Sequence, residues 1–307
     1  QMFDIHKQRW SETLRDYFDV PAQMMPRVLD CADDFGVADE AWFGAPIPIR
    51  GVAGDQQAAL VGQGCLTPGM TKSTYGTGCF MITNTGSDAV HSTQKLLTTV
   101  GYRMGGQTTY ALEGSIFVAG VAIKWLRDQL GLISTAAETE AAFERTGGDS
   151  AGVFVVPAFT GLGAPFWRPH ARGIIAGLTL DSSRDHVITA FLQSVVYQTH
   201  DLLGAMAMDG APVATLRVDG GMVVNPQFCQ FLADVLNIPV ERPTDIETTA
   251  LGAAMLAGVG QGLFENLEAA SSQWACDRRF TAGITSDHRD TLLRGYKQAL
   301  EQALVVA

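Results

Sequence analysis

Apolar and polar residues change rhythm along this chain. Residues 7–45 (KQRWSETLRDYF, then AQMMPRVLDCA) carry a mostly helical pattern. Between 47 and 113 the pattern shortens. TKSTYGTGCFMITNT, LLTTVGYRM and QTTYALEG are rich in Thr, Val, Ile and Tyr and are broken by glycine, which predicts strands and hairpins. SIFVAGVAIKWLRDQL (115–130) returns to helical spacing with charges near its end, and TAAETEAAFERTG predicts a second helix.

Further on, VFVVPAF (153–159) predicts a strand, and GLGAPFWRPHARG has the Gly and Pro content of an irregular loop. The strand GIIAGLTL and a helix from Ser183 to about Asp209 follow. TLRVDGG (215–221) predicts a strand ending in glycines. NPQFCQFLADVLN, PVERP and TTALGAAMLAGVGQGLF then read as helix, strand and helix, with a last helix at about 287–304. Strands alternating with helices imply an α/β domain whose sheet is covered by helices. No short-period repeat or low-complexity linker interrupts the series.

Composition narrows the function. The 307 residues are 47% hydrophobic and 17% charged, which suits a globular chain of one large domain or two. A net charge of −11 argues against non-specific binding to nucleic acid or to an anionic membrane. No apolar run reaches the roughly 18 residues of a membrane span. The nearest, ALGAAMLAGVGQGLF (250–264), is short and glycine-rich and reads as a buried helix. The five cysteines lack C-x-x-C spacing, so free thiols in a reducing cytoplasm are expected. The histidines show no paired metal-ligand spacing. No signal-peptide pattern is present. The chain opens at Gln1 with no initiator Met at that position, which suggests a fragment or a processed product.

Three glycine turns are candidate ligand contacts: YGTG (75–78), LEG (112–114) and DGG (219–221). Glycine lets a backbone approach a ligand, and a strand–glycine–helix turn aims N–H groups at an anion. Neither a P-loop motif nor a complete G-x-G-x-x-G after a strand is present. In GVAGDQQAAL (51–60), Asp55 stands at the mouth of a predicted helix, beside Gln56 and Gln57. The residues alone leave two readings open, a helix N-cap and a substrate site.

GVAGDQQAALVGQGCLTPGMTKSTYGTGCFMITNTG (51–86) closely resembles the central signature of the glycerol-phosphorylating members of the FGGY family of carbohydrate kinases. ALEGSIFVAGVAIKWLRD (111–128), VVPAFTGLGAPFWRPHARGIIAGLT (155–179), RVDGGMVVNPQFCQFLADVLNIPVERP (217–243) and TTALGAAMLAG (248–258) continue the resemblance in order. It covers essentially the whole chain, and GDQQ together with YGTGCF is its most specific part. It implies the actin/hexokinase/Hsp70-like ATPase fold, a ribonuclease H-like α/β architecture in which ATP and substrate lie between two domains. Residues 1–65 would be the tail of the first domain and 66–307 the complete second, nucleotide-binding domain. The implied reaction is ATP-dependent phosphorylation of glycerol with Mg²⁺. An incomplete first domain would leave the isolated chain inactive. A homo-oligomer is compatible with these features. Two rival readings remain: a kinase of the same family acting on another small polyol or ketose, and a non-catalytic actin-like nucleotide-binding module.

The resemblance also assigns roles. Asp55 becomes the general base for the substrate hydroxyl and lies near the Mg²⁺ shell. The helix dipole favours a charged carboxylate there. A weak base suffices, because phosphoryl transfer through a loose transition state asks mainly for orientation. Gln56 would bond substrate hydroxyls, against a plain reading as an exposed first-turn residue. Phe80 would wall the substrate pocket, or be an ordinary core residue. Thr77 and Gly78 would touch the ATP phosphates, or simply shape a hairpin. Gly221 and Asn225 would border adenine and ribose, with Asn225 otherwise a cap before Pro226. Gly120 would line the nucleotide cleft, or be small for packing. Lys124 stands where some close relatives carry Gln, and would reach a phosphate or point to solvent.

Some bacterial members of the family respond to fructose 1,6-bisphosphate through a glycine-rich loop ending in Arg. Here the corresponding stretch is DEAWFGAPIPI, with no such arginine. Fructose 1,6-bisphosphate is therefore expected to leave the activity of the full-length protein unchanged. Saturable inhibition in a steady-state assay would show that another site serves as the sensor.

Overall fold

The computed structural model describes residues 2–305. Helix α1 (Asp55–Gly62) leads into four strands, β1 (Thr71–Tyr75), β2 (Cys79–Gly86), β3 (Leu97–Met104) and β4 (Gln107–Ile116). Helices α2 (Gly120–Asp128), α3 (Glu138–Thr146) and α4 (Arg184–Met208) follow. The chain then alternates through β5 (Leu216–Asp219), α5 (Pro226–Leu236), β6 (Val240–Pro243), α6 (Thr248–Gly260), β7 (Cys276–Phe280) and α7 (Ser286–Val305). These seven strands form one sheet in the order β7-β6-β5-β1-β2-β4-β3. β5 runs parallel to β1 and to β6, and the remaining pairs are antiparallel.

Alternation along the strands divides the core in two. Tyr75, Cys79, Met81 and Leu112 face α4 and α5, meeting Phe191, Val195, Phe228 and Leu232. Ile82, Tyr102 and Ala111 face the other way, toward Leu60 and Val61 of α1 and Met255 and Leu256 of α6. Local signals set the helix ends. Ser183 and His186 form a capping box at the start of α4. Asn225 caps α5 ahead of Pro226, and Asn237 closes it in the left-handed conformation.

Helices α1 and α6 cross with their backbones in contact. A Cβ on Gly62 would fall 1.9 Å from the Thr248 carbonyl oxygen, and one on Gly252 would fall 1.8 Å from that of Ala58. Beside the crossing, the buried Asp219 carboxylate accepts from Gln63 Nε2 at 2.7 Å and from Thr248 Oγ1 at 2.6 Å. Trp274 Nε1 donates to Gln63 Oε1 at 2.8 Å, and Arg217 stacks 3.7 Å from the Trp274 ring centre.

Several sequence expectations change in the structure. The helices in residues 7–45 are only short ones, Glu12–Tyr17 and Glu40–Phe43, with a single 3-10 turn, Ala22–Met24, and two-residue strands at Arg9–Trp10 and Val37–Ala38. Asp19 takes a positive φ of 53° after the first, and Pro21 and Pro26 withhold the N–H groups a longer helix needs. None of these short elements buries a residue, so packing does not stabilise them. In 115–130, Ser115 and Ile116 complete β4 by pairing with Phe80 and Cys79, and the helix starts only at Gly120. Phe154–Val156 and Ile174–Ala176 pair with each other as a separate ribbon outside the sheet. CDRRF, an exposed and highly charged stretch, is the seventh strand.

Helix α7 docks on α4 through Tyr296, whose ring stacks on Tyr197 and whose hydroxyl donates to Asp201 Oδ2 at 3.0 Å. Burial pushes the Asp201 carboxyl up to about 7. Its folded pKa thus lies above its unfolded value near 3.9. The stabilisation it contributes is full below about pH 4 and is lost as pH rises through about 7. Asp201→Asn keeps an acceptor for Tyr296 without the charge. At pH 8 it should raise Tm by about 2 °C or more, and it should flatten the pH dependence of Tm. A variant no more stable than the parent at pH 8 would refute this.

Candidate active site

Asp55 is the first residue of α1, and Gly54, with no side chain, occupies the N-cap position. Asp55 is therefore not the N-cap that the sequence also allowed. Its Oδ1 accepts the Gln56 backbone N–H at 2.8 Å, and Gln56 Nε2 lies 3.4 Å from its Oδ2. The carboxylate is exposed and Gln56 is half-buried.

Beneath Gln56 lies a residue the sequence reading missed. Lys72, on β1, is fully buried. Its Nζ donates to Gln56 Oε1, to Thr74 Oγ1 at 2.9 Å and to the Phe80 carbonyl at 3.4 Å. Burial pulls its pKa down, against the pull of Asp219 and Glu113. Burial likewise raises the half-buried Glu113 carboxyl, opposed by Lys72. The available signal was TKST itself, a lysine in a strand whose neighbours on both sides carry apolar runs. Phe80 pairs with Thr74 on β1 and Ser115 on β4. It is half-buried and belongs to neither apolar cluster, so its ring is not ordinary core.

At the far end of β1 a cleft of about 390 Å³ opens. Thr77, Gly120, Lys124, Gly221 and Asn225 all line it, together with Tyr75, Met222 and Leu192. Five of the six predicted nucleotide contacts thus share one cavity. Gly78 does not line it. It is buried beneath β4, where a Cβ would sit 2.6 Å from the Ile116 carbonyl oxygen. Gly120 is also required by packing, since its Cβ would lie 2.5 Å from the Gly76 carbonyl oxygen. The N–H groups of Ala119, Gly120 and Val121 donate to the carbonyls of Gly76 and Thr77. They are consequently not free to hold an anion, and the LEG-to-helix turn is not a phosphate cradle. Lys124 is exposed on the rim.

Asn225 serves two ends. Its Oδ1 accepts from the N–H groups of Gln227 and Phe228 at 2.9 and 3.3 Å, the cap geometry. Among the described residues its Nδ2 is buried without a partner beside the cleft, a donor left for a ligand. The two ends of the site are joined by β1. Lys72, under Gln56, and Tyr75, on the cleft wall, are three residues apart, or about 10 Å along a strand. Among the described residues, no three His, Cys, Asp or Glu side chains converge as a metal site.

Residues 71–260 match the C-terminal domain of the FGGY family of carbohydrate kinases, and residues 1–62 match its N-terminal domain. The chain belongs to the FGGY family of carbohydrate kinases. It is 57% identical over 302 residues to a glycerol kinase of Ectopseudomonas mendocina, covering 98% of this chain and 61% of that protein. A glycerol kinase of Alcanivorax borkumensis is 57% identical over 300 residues, or 97% of this chain and 60% of that one. The chain thus spans about three-fifths of the length of the curated relatives it matches. Among solved structures, the glycerol kinase of Plasmodium falciparum with ADP superposes with a TM-score of 0.90 at 34% identity, over 99% of this chain and 61% of that one. A xylulose kinase of Rhodospirillum rubrum has a TM-score of 0.83 at 22% identity, over 98% of this chain and 62% of its own, and shares the fold. The architecture is that of the actin/hexokinase-like ATPases.

Asn225→Asp separates the two duties of Asn225, because Asp caps a helix as well as Asn does. Replacing the unpaired donor with an anion should weaken ADP binding by about tenfold or more, with Tm nearly unchanged. Calorimetry on the full-length protein checks both. Unchanged ADP affinity would show that Nδ2 does not face the nucleotide.

Proposed function

We propose that the protein transfers the γ-phosphoryl group of ATP to a hydroxyl of glycerol, giving sn-glycerol 3-phosphate. In this reading residues 66–307 form the nucleotide-binding domain and residues 1–65 belong to the preceding one. The observation that carries the proposal is the joined site: an exposed carboxylate–carboxamide pair at the head of α1, linked through one strand to a cleft of nucleotide size. The relatives at 57% identity, named as glycerol kinases, support the choice of acceptor.

Each side chain has a defined task. Asp55 accepts the proton of the attacking hydroxyl at a carboxylate oxygen and orients that hydroxyl toward the phosphorus. Gln56 Nε2 donates to a second hydroxyl oxygen, so the acceptor is held at two points. The Phe80 ring lies against the carbon chain of glycerol and limits water around it. In the cleft, Asn225 Nδ2 and the walls at Gly120 and Gly221 hold adenine and ribose, and Thr77 faces the phosphates.

A divalent cation fits this arrangement. Mg²⁺ is commonly held by one or two carboxylates together with substrate phosphates and water, and Asp55 presents one exposed carboxylate. Such an ion would neutralise charge developing on the transferring phosphoryl group. The five cysteines are all free, which fits a reducing cytoplasm.

Asp55→Asn keeps the shape and removes the base. In the full-length protein kcat for glycerol should fall by about 100-fold or more, with ADP affinity unchanged. Parental turnover in this variant would remove Asp55 from the mechanism.

A further inference from the structure

The ammonium of Lys72 is the most deeply placed cation near the acceptor end of the site. Its side chain is fully buried. Among the described residues no carboxylate oxygen forms an ion pair with it. Instead its three N–H bonds go to three neutral oxygens, those of Gln56, Thr74 and Phe80. Two of these belong to residues expected to touch the substrate. Burying an ammonium with no carboxylate in direct contact opposes folding. An unbranched apolar chain such as methionine would fill similar space without that penalty. The charge therefore acts on what it touches.

A lysine ammonium donates three hydrogen bonds and accepts none. Only the carbonyl oxygen of the Gln56 carboxamide can face it. The amide's other end, Nε2, is then turned toward Asp55 Oδ2, at 3.4 Å. Without the ammonium, the carboxamide could rotate and present oxygen beside the Asp55 carboxylate, two acceptors side by side. We propose that Lys72 is a positioning residue that fixes the polarity of the acceptor site, holding Gln56 so that a donor stands next to the Asp55 acceptor. A pair of that kind fits a vicinal diol, in which one hydroxyl gives its proton to Asp55 and the neighbouring oxygen accepts from Gln56. Thr74 completes the ammonium's coordination and keeps it from swinging toward solvent. This inference rests on the glycerol-kinase reading above.

Steady-state kinetics on the full-length protein test it. Lys72→Met should raise the KM for glycerol by about tenfold or more, the loss of one oriented hydrogen bond. The KM for ATP should stay within about twofold. In a Gln56→Ala background, Lys72→Met should change the glycerol KM by less than about twofold, because the residue through which it acts is gone. Effects that multiply across the two variants, or equal losses for both substrates, would assign Lys72 a general structural role and overturn the inference. Gln56→Glu gives an independent check that does not depend on how Lys72→Met folds. It keeps an oxygen facing the ammonium but puts a second acceptor beside Asp55, so loss of the donor should raise the glycerol KM by about tenfold or more. An unchanged glycerol KM would also overturn it. Parental protein that does not phosphorylate glycerol would defeat the proposed function itself, whereas active parental protein with an indifferent Lys72→Met would defeat only this step.

Discussion

The backbone contact between α1 and α6 governs the geometry of the proposed acceptor end. α1 is only eight residues long, and its first two side chains are Asp55 and Gln56. A short helix has little stability of its own. What holds it is the crossing at Gly62 and Gly252, where neither helix has room for a side chain. The contact sets how far α1 stands above the sheet, and so brings Gln56 within reach of Lys72. Thr248, whose carbonyl touches Gly62, also bonds Asp219 at the end of β5. Asp219 opens the Gly220–Gly221 turn, and Gly221 lines the candidate nucleotide cleft. One buried carboxylate therefore ties the helix that bears the proposed acceptor residues to the wall of the cleft.

Strand β1 divides its work by parity. Lys72 and Thr74 turn toward α1, and Ser73 and Tyr75 toward the opposite core. Tyr75 meets Phe228 edge-on at 5.1 Å and places its hydroxyl 3.2 Å from Thr199 Oγ1. A strand buried on both faces tolerates little displacement. That rigidity suits a segment connecting two halves of a site.

Much of this was legible in the sequence because it rests on local signals. The hairpin strands from 71 to 116, the capped helices after Ser183 and Asn225, and the alternation from 215 onward all carry periodicity or caps of their own. Resemblance supplied the candidate site residues, and five nucleotide candidates line one cleft while Gly78 stands apart. Contacts distant in sequence were not legible. Lys72 meets Gln56 across sixteen positions, and Gln63 meets Asp219 across 156. Helical spacing in 7–45 misled because exposed apolar residues such as Tyr17, Trp42 and Phe43 mimic an amphipathic face without burying it. CDRRF escaped notice as a strand because it lies at an edge, where one side of the ladder is open and charges are tolerated.

That edge has a further consequence. Asp277, Arg278 and Arg279 stand exposed along the outermost strand. Asp277 and Arg279 are already engaged with Arg242 and Glu241 on its inner neighbour, at 2.6 and 2.7 Å. An extended segment from another molecule, docking there to lengthen the sheet, would have to strip water from Arg278 and compete with both ion pairs. The strand thus acts as a terminator: it completes the hydrogen-bonding of β6 while making its own free side a poor template for the ribbon-by-ribbon growth that turns open sheets into aggregates.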